Sequence, residues 1–270
     1  MKGLALLLSL AIAGSASAVV IRDDVSDTRY RMAATAFPPL VDLPVEGHGV
    51  LIDPRWVVTA AHAVAWQPGM EVVVVGGTPR AVEKVILHAG YRKLPQDIID
   101  AALKSGDATS VIEALAASDD IALVMLAEPV TDVAPAGIYL GPAAGKRIEI
   151  IGKGATGTGV QGHSPHGPNR TDLRRAYSTV TAAEGRWLTY VFRQGADALP
   201  LEGSAGNGDS GGPLLVGEGS ARQVAGLTSW KDSSDKKLVL QPGKYGQVNR
   251  GVRLAHYIDW IKAAMADDGT

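Results

Sequence analysis

The chain has 270 residues, 46% of them hydrophobic, which suffices for one domain of two packed halves or for two small domains with a real core. Its 26 Lys and Arg against 28 Asp and Glu leave a net charge of -2, and no basic stripe is present to hold a phosphate backbone, which argues against nucleic acid as a partner. With 32 glycines, 15 prolines and only 2 phenylalanines, the composition reads as many short strands joined by tight turns, so the expected class is all-β.

Residues 1–18 carry Lys2, an apolar run from Leu4 to Ile12 and the small residues Ala16-Ser17-Ala18. This is the pattern of a signal peptide cleaved after Ala18, and the apolar run is too short to cross a bilayer as a stable helix. The mature chain is expected to be secreted or periplasmic, with no membrane attachment after cleavage. It has no cysteine, so its folded state must rest on packing and hydrogen bonds without disulfides.

Strand-like runs bounded by Gly, Pro or Asp follow at Gly49–Ile52, Trp56–Ala60, Glu71–Val75, Ala81–His88 and Ile121–Leu126. Between Pro95 and Ser118 the pattern changes. Ile98, Ile99, Leu103, Val111, Ile112 and Leu115, broken by Ser105-Gly106, predict two short helical turns in an insertion. The stretch from Glu128 to Gly141 reads as a connection, dividing the mature chain into an N-terminal half, 19–130, and a C-terminal half, 131–251. The Gly-rich segment Gly152 to Gly159 lacks the ending of a phosphate loop and is expected to be a flexible surface loop. Further strands are predicted at Arg147–Gly152, Ala176–Val180, Trp187–Phe192, Pro213–Val216 and Gln223–Trp230. A C-terminal helix and tail over 252–270 presents Leu254, Tyr257, Ile258, Ile261 and Met265 on one face.

Chemistry concentrates in Gly208-Asp209-Ser210-Gly211-Gly212-Pro213, where small residues surround a serine and let a substrate carbonyl approach. A serine needs a base within hydrogen-bond reach to act as a nucleophile. His62, in Thr59-Ala60-Ala61-His62 after the apolar Trp56-Val57-Val58, is the best placed of the six histidines. Asp120 opens Asp120-Ile121-Ala122-Leu123, an acid leading an apolar strand, and can be drawn inside to meet the imidazole.

These three segments, in this order, resemble the chymotrypsin/trypsin-like serine peptidases, and the resemblance covers nearly the whole mature chain. It extends to Thr228-Ser229-Trp230, similar to the family's substrate-binding strand, and to Tyr257-Ile258-Asp259-Trp260-Ile261, similar to its C-terminal helix. The long gap between His62 and Asp120 is accounted for by the 95–118 insertion. The resemblance implies two six-stranded antiparallel β-barrels packed face to face with the active site between them, plus a C-terminal helix. It implies Ser210 as nucleophile, His62 as general base and acid, and Asp120 as the group that orients the imidazole. It further implies an oxyanion hole at the backbone N–H groups of Gly208 and Ser210, and Ser229 as a support for the aspartate. Asp209 matches the acid that pairs with a new α-amino terminus, which Val19-Val20-Ile21 would supply after signal removal, although Arg22-Asp23 stands where the family has two glycines.

In the primary pocket the resemblance points to Ser204 at the base, Lys231 on the wall beside Ser229 and Trp230, and Asn249 opposite. Without an acid at Ser204, a preference for Lys or Arg is not expected. Lys231 either obstructs large side chains or favours an acidic one. The implied partners are polypeptide substrates and proteinaceous inhibitors, with no cofactor and no metal, and a monomer is expected.

Other features read as structural. His163 and His166 lie in a Pro/Gly loop without a third metal ligand. His48, His88 and His256 stand singly. Asp23, Asp24 and Asp27 lack the alternating ligands of a calcium loop and read as a solvated segment. Trp187 and Trp260 are expected to pack, and Trp230 to do so beside a substrate strand. Two rival functions remain. One is a catalytically silent member that binds peptides or partners. The other is an esterase of the α/β-hydrolase type, which requires the histidine last in the chain, whereas here it comes first.

Overall fold

A computed structural model describes residues 19–67, 69–163, 172–233 and 242–267; the leader 1–18 and His166 lie outside them. The described residues open with a two-residue strand, β1 (Val20–Ile21), followed by β2 (Leu40–Asp42), β3 (His48–Asp53), β4 (Trp56–Thr59) and a one-turn helix, α1 (Ala61–Val64). Strands β5 (Val72–Val75) and β6 (Thr78–Leu87), helices α2 (Gln96–Ser105) and α3 (Thr109–Ala117), and strand β7 (Ala122–Leu126) follow. Strands β2, β3, β4, β7, β6 and β5 close into a barrel in that order.

The second half contains β8 (Arg147–Gly152), β9 (Gly157–Thr158), β10 (Gly162–His163), β11 (Arg174–Glu184), β12 (Trp187–Val191) and β13 (Gly203–Ser204). It ends with β14 (Pro213–Val216), β15 (Gln223–Asp232), β16 (Val248–Arg253) and the helix α4 (Ile258–Ala266). Here β11, β12, β16, β15, β14 and β8 close a second barrel, while β1 joins β13, β9 and β10 in a small sheet beside it. Among the described residues, no helix is long and apolar enough to cross a membrane.

The pleat explains why the central strands carry continuous apolar runs rather than alternating ones. Successive side chains face opposite sides, and in the first barrel both sides are covered. Leu51, Val57 and Val124 fill its interior, while their neighbours Val50, Val58 and Leu123 face a second core lying between the barrels. That seam also takes Ile151, Leu215, Leu227 and Val252 from the second barrel, and Tyr257 and Ile261 from the C-terminal segment.

Several expectations are corrected. Each barrel has a sixth strand that the pattern does not reveal, β2 and β16. The insertion forms helices of ten and nine residues rather than single turns, separated where Gly106 adopts φ 75°. The C-terminal helix begins at Ile258, because Val252 and Arg253 belong to β16 and Leu254–His256 forms a 3-10 turn. The Gly-rich segment is no surface loop: Gly154 and Ala155 are buried, and the Ala155 N–H donates to the Asn207 carbonyl at 2.6 Å.

Candidate active site

Strand register brings the first two functional side chains together. Pairing of Thr59 with Ala122 aligns the end of β4 with the start of β7, so the residues just after one strand meet those just before the other. His62 thus stands on α1 beside Asp120, which is 5% exposed. The Asp120 carboxylate accepts three hydrogen bonds: from the His62 backbone N–H at 2.8 Å, from His62 Nδ1–H at 2.7 Å and from the Ser229 hydroxyl at 2.5 Å. With Asp120 on Nδ1, the imidazole is held in the tautomer that leaves Nε2 free to accept a proton.

Ser210 arrives from the other barrel, on a turn that only glycine permits. Gly208 and Gly211 adopt φ of 85° and 74°, in the left-handed region, and a Cβ on Gly211 would lie 2.2 Å from the His48 carbonyl oxygen. Two hydrogen bonds join this turn to the first barrel: Gly47 N–H to the Gly208 carbonyl at 3.2 Å and His48 N–H to the Ser210 carbonyl at 2.7 Å. Ser210 Oγ consequently lies 2.8 Å from His62 Nε2. Among the described residues, the N–H groups of Gly208 and Ser210 have no intramolecular acceptor. Burial works to depress the His62 pKa, but the charge and hydrogen bond of Asp120, aided by Glu46, outweigh it and hold it above the ordinary value.

Asp209 is fully buried behind the nucleophile. Its carboxylate accepts the N–H groups of Gly154 and Gly206, each at 2.7 Å, and burial raises its pKa despite them. There is no room for a side chain on this neighbour: a Cβ on Gly154 would sit 2.4 Å from the Asn207 carbonyl oxygen. Val19 is buried too, and Val20 pairs with Ser204 on β13. His48 is a neighbour that the sequence reading left as a single packed histidine. It is fully buried, 3.8 Å from Asp209 through Nε2 and 3.1 Å from Asp42 through Nδ1, and Asp42 also pairs with Lys153 at 2.8 Å. The one available signal was its place at the head of a strand.

Two cavities flank Ser210 and His62. One, of about 380 Å³, is bordered by Ser210, Gly208, Trp230, Lys231, Glu46 and Pro242. Ser204 and Asn249 do not line it; both are buried, and the Ser204 hydroxyl donates to Asn249 Oδ1 at 2.7 Å. The other, of about 370 Å³, is mostly apolar and runs from His62 past Trp66, Tyr91 and Trp230 to Ile99 on α2 and Leu115 on α3, so the insertion forms a wall of the cleft.

The remaining candidates are absorbed by structure. His163 is buried, accepts the Asn207 N–H at 3.1 Å, and has its pKa pushed down to about 4 by burial and by Lys231. Asp27 is only partly exposed and holds the buried Arg174 at 2.8 Å, Asp24 pairs with Arg22, and Asp23 accepts the Tyr245 hydroxyl. His88 lies 3.4 Å from Asp119 and packs on Tyr257 and Trp260, and the ring of His256 packs edge-on against Tyr257. Trp187 meets Trp230 edge to face at 5.5 Å.

Comparison with known proteins agrees with this architecture. Similar relatives include the hepatocyte growth factor activator serine proteases of Canis lupus familiaris, 27% identical over 239 residues, and of Homo sapiens, 27% identical over 238 residues. Each match covers 79% of this chain but 32% of the relative, so the chain spans about a third of the length of the curated relatives it matches. The family model described as Trypsin matches residues 29–261, from just before the first barrel to the C-terminal helix. A match of that extent, on twin closed barrels whose seam holds the matched segments, makes the chain a member of the trypsin family.

Proposed function

We propose that the chain is an exported serine endopeptidase that hydrolyses peptide bonds through an acyl-enzyme, with His62, Asp120 and Ser210 as its catalytic triad. The observation that supports this most is the unbroken relay from Ser210 Oγ to His62 Nε2, at 2.8 Å, and from His62 Nδ1 to Asp120, at 2.7 Å. His62 takes the Ser210 proton as Oγ attacks the scissile carbonyl, and the imidazolium formed is stabilised by the Asp120 carboxylate. The free N–H groups of Gly208 and Ser210 suit the developing oxyanion, where losing one such donor costs about 2.7–4 kcal/mol of transition-state stabilisation. His62 then protonates the leaving amine, and a water activated by the same base releases the acyl group.

The end of β15 around Trp230, which extends past its pairing with β14, offers an edge for an extended polypeptide. Export is inferred from the signal-like pattern of residues 1–18. A fluorophosphonate probe tests the reading: wild type should label and Ser210→Ala should not. Absence of labelling in wild type would instead support a silent, peptide-binding family member.

The same reading makes Val19 the activating terminus, with Asp209 as partner of its α-amine. In support, Val19 is fully buried and adopts φ 66°, a conformation costly for a β-branched residue while another residue precedes it. Adding one residue before Val19 should abolish most activity toward peptides; full activity in that extended variant would sink this part.

A further inference from the structure

We propose that Lys231 makes the cavity beside Ser210 a receptor for a carboxylate side chain, so that the enzyme cleaves after acidic residues, glutamate foremost. The inference rests on the endopeptidase reading and deepens it by naming the substrate class of the same site.

Lys231 lies on β15 opposite Asn249 of β16, and its ammonium donates to the carbonyl of Ala205, next to β13. Its side chain therefore borders the cavity and reaches back to buried backbone on the β13 side. Ser204 and Asn249 satisfy each other outside the cavity, so a substrate side chain entering beside Ser210 meets the lysine rather than them. The contact with Ala205 uses one of three ammonium hydrogens. Among the described residues, the other two have no acceptor, and Asp209 acts on Lys231 only through space, without an ion pair. A partly buried cation with no carboxylate in direct contact is the complement of an acid.

The charged groups around Lys231 do not supply that acid. Asp209 acts on it through space, but its carboxylate, which accepts the N–H groups of Gly154 and Gly206, forms no ion pair with Lys231. Glu46 lies on an exposed segment of the cavity rim contributed by the other barrel. His163, with its pKa near 4, is neutral at ordinary pH. Burial, only partly offset by Asp209, brings the Lys231 pKa down to about 8, so the ammonium is charged at neutral pH and loses its proton in mildly alkaline solution.

The test is a peptide series identical except for Glu, Gln, Ala or Lys before the scissile bond, with fluorophosphonate labelling run alongside. At pH 7 the expected kcat/KM for Glu exceeds that for Gln by about tenfold or more, the size of one charge-assisted contact. That ratio should fall toward one as pH rises through about 8, because Lys231 deprotonates there, and the His62 titration cancels between the two substrates. Lys231→Met should bring the ratio to about one, and Lys231→Arg should keep it above one, which covers failure of the methionine variant to fold. Wild type that labels and cleaves but takes Gln or Ala as well as Glu overturns the proposal and leaves the peptidase reading standing. Wild type that neither labels nor cleaves any peptide overturns both.

Discussion

His62 carries the most direct chemical consequence. In the proposed mechanism it acts only when neutral, and Asp120 holds its pKa above that of a free imidazole, so activity is expected to fail as pH drops through a value higher than that of a free imidazole. The acid limb of kcat/KM for an uncharged peptide is expected to have its midpoint above that of a free imidazole, and a midpoint below it would contradict the raised His62 pKa. The His62, Asp120 and Ser210 contexts were legible because each is a local string of small and apolar residues whose chemistry depends on its immediate neighbours. The surroundings were not. Ser204 and Asn249 look available in the sequence, yet they bond to each other, and His48 reads as an isolated ring although folding sets it between Asp42 and Asp209. Those pairings join residues far apart in the chain, and nothing local records them.

Among the elements, five of the six barrel strands in each half were readable from apolar runs bounded by turn residues. β2 was hidden because it is three residues long behind Pro38-Pro39, and β16 because Asn249, Arg250 and Gly251 interrupt its apolar pattern. Both are nonetheless required to close their barrels. The insertion was visible as a change of period, but its place was not. Ile99 and Leu115 line the cavity that begins at His62, so under the proposed function α2 and α3 would shape the site for the substrate residue preceding the one at the cleaved bond. Leu115→Ala is expected to lower kcat/KM about threefold to tenfold for peptides with Leu or Phe there, and to leave those with Gly nearly unchanged. Equal losses for both peptide sets would show that the insertion acts through stability instead.

Taken whole, the molecule is two closed barrels sharing a buried seam, and the site lies where strand ends from both barrels meet. β4 and β7 deliver His62 and Asp120 from one side, and the turn before β14 delivers Ser210 from the other, joined across by Gly47 and His48. The C-terminal segment closes the seam with Tyr257 and Ile261. Sequence alone was enough for the all-β class, most strands, the family resemblance and the three candidate catalytic residues, because turn chemistry, apolar runs and short motifs are local properties. The resemblance already implied the two six-stranded barrels; only the tertiary structure decided which strands close each of them, the seating of Asp209 against the Gly-rich segment and the reach of Lys231 to the Ala205 carbonyl. Each depends on long-range register and on which buried polar groups find partners once solvent is excluded.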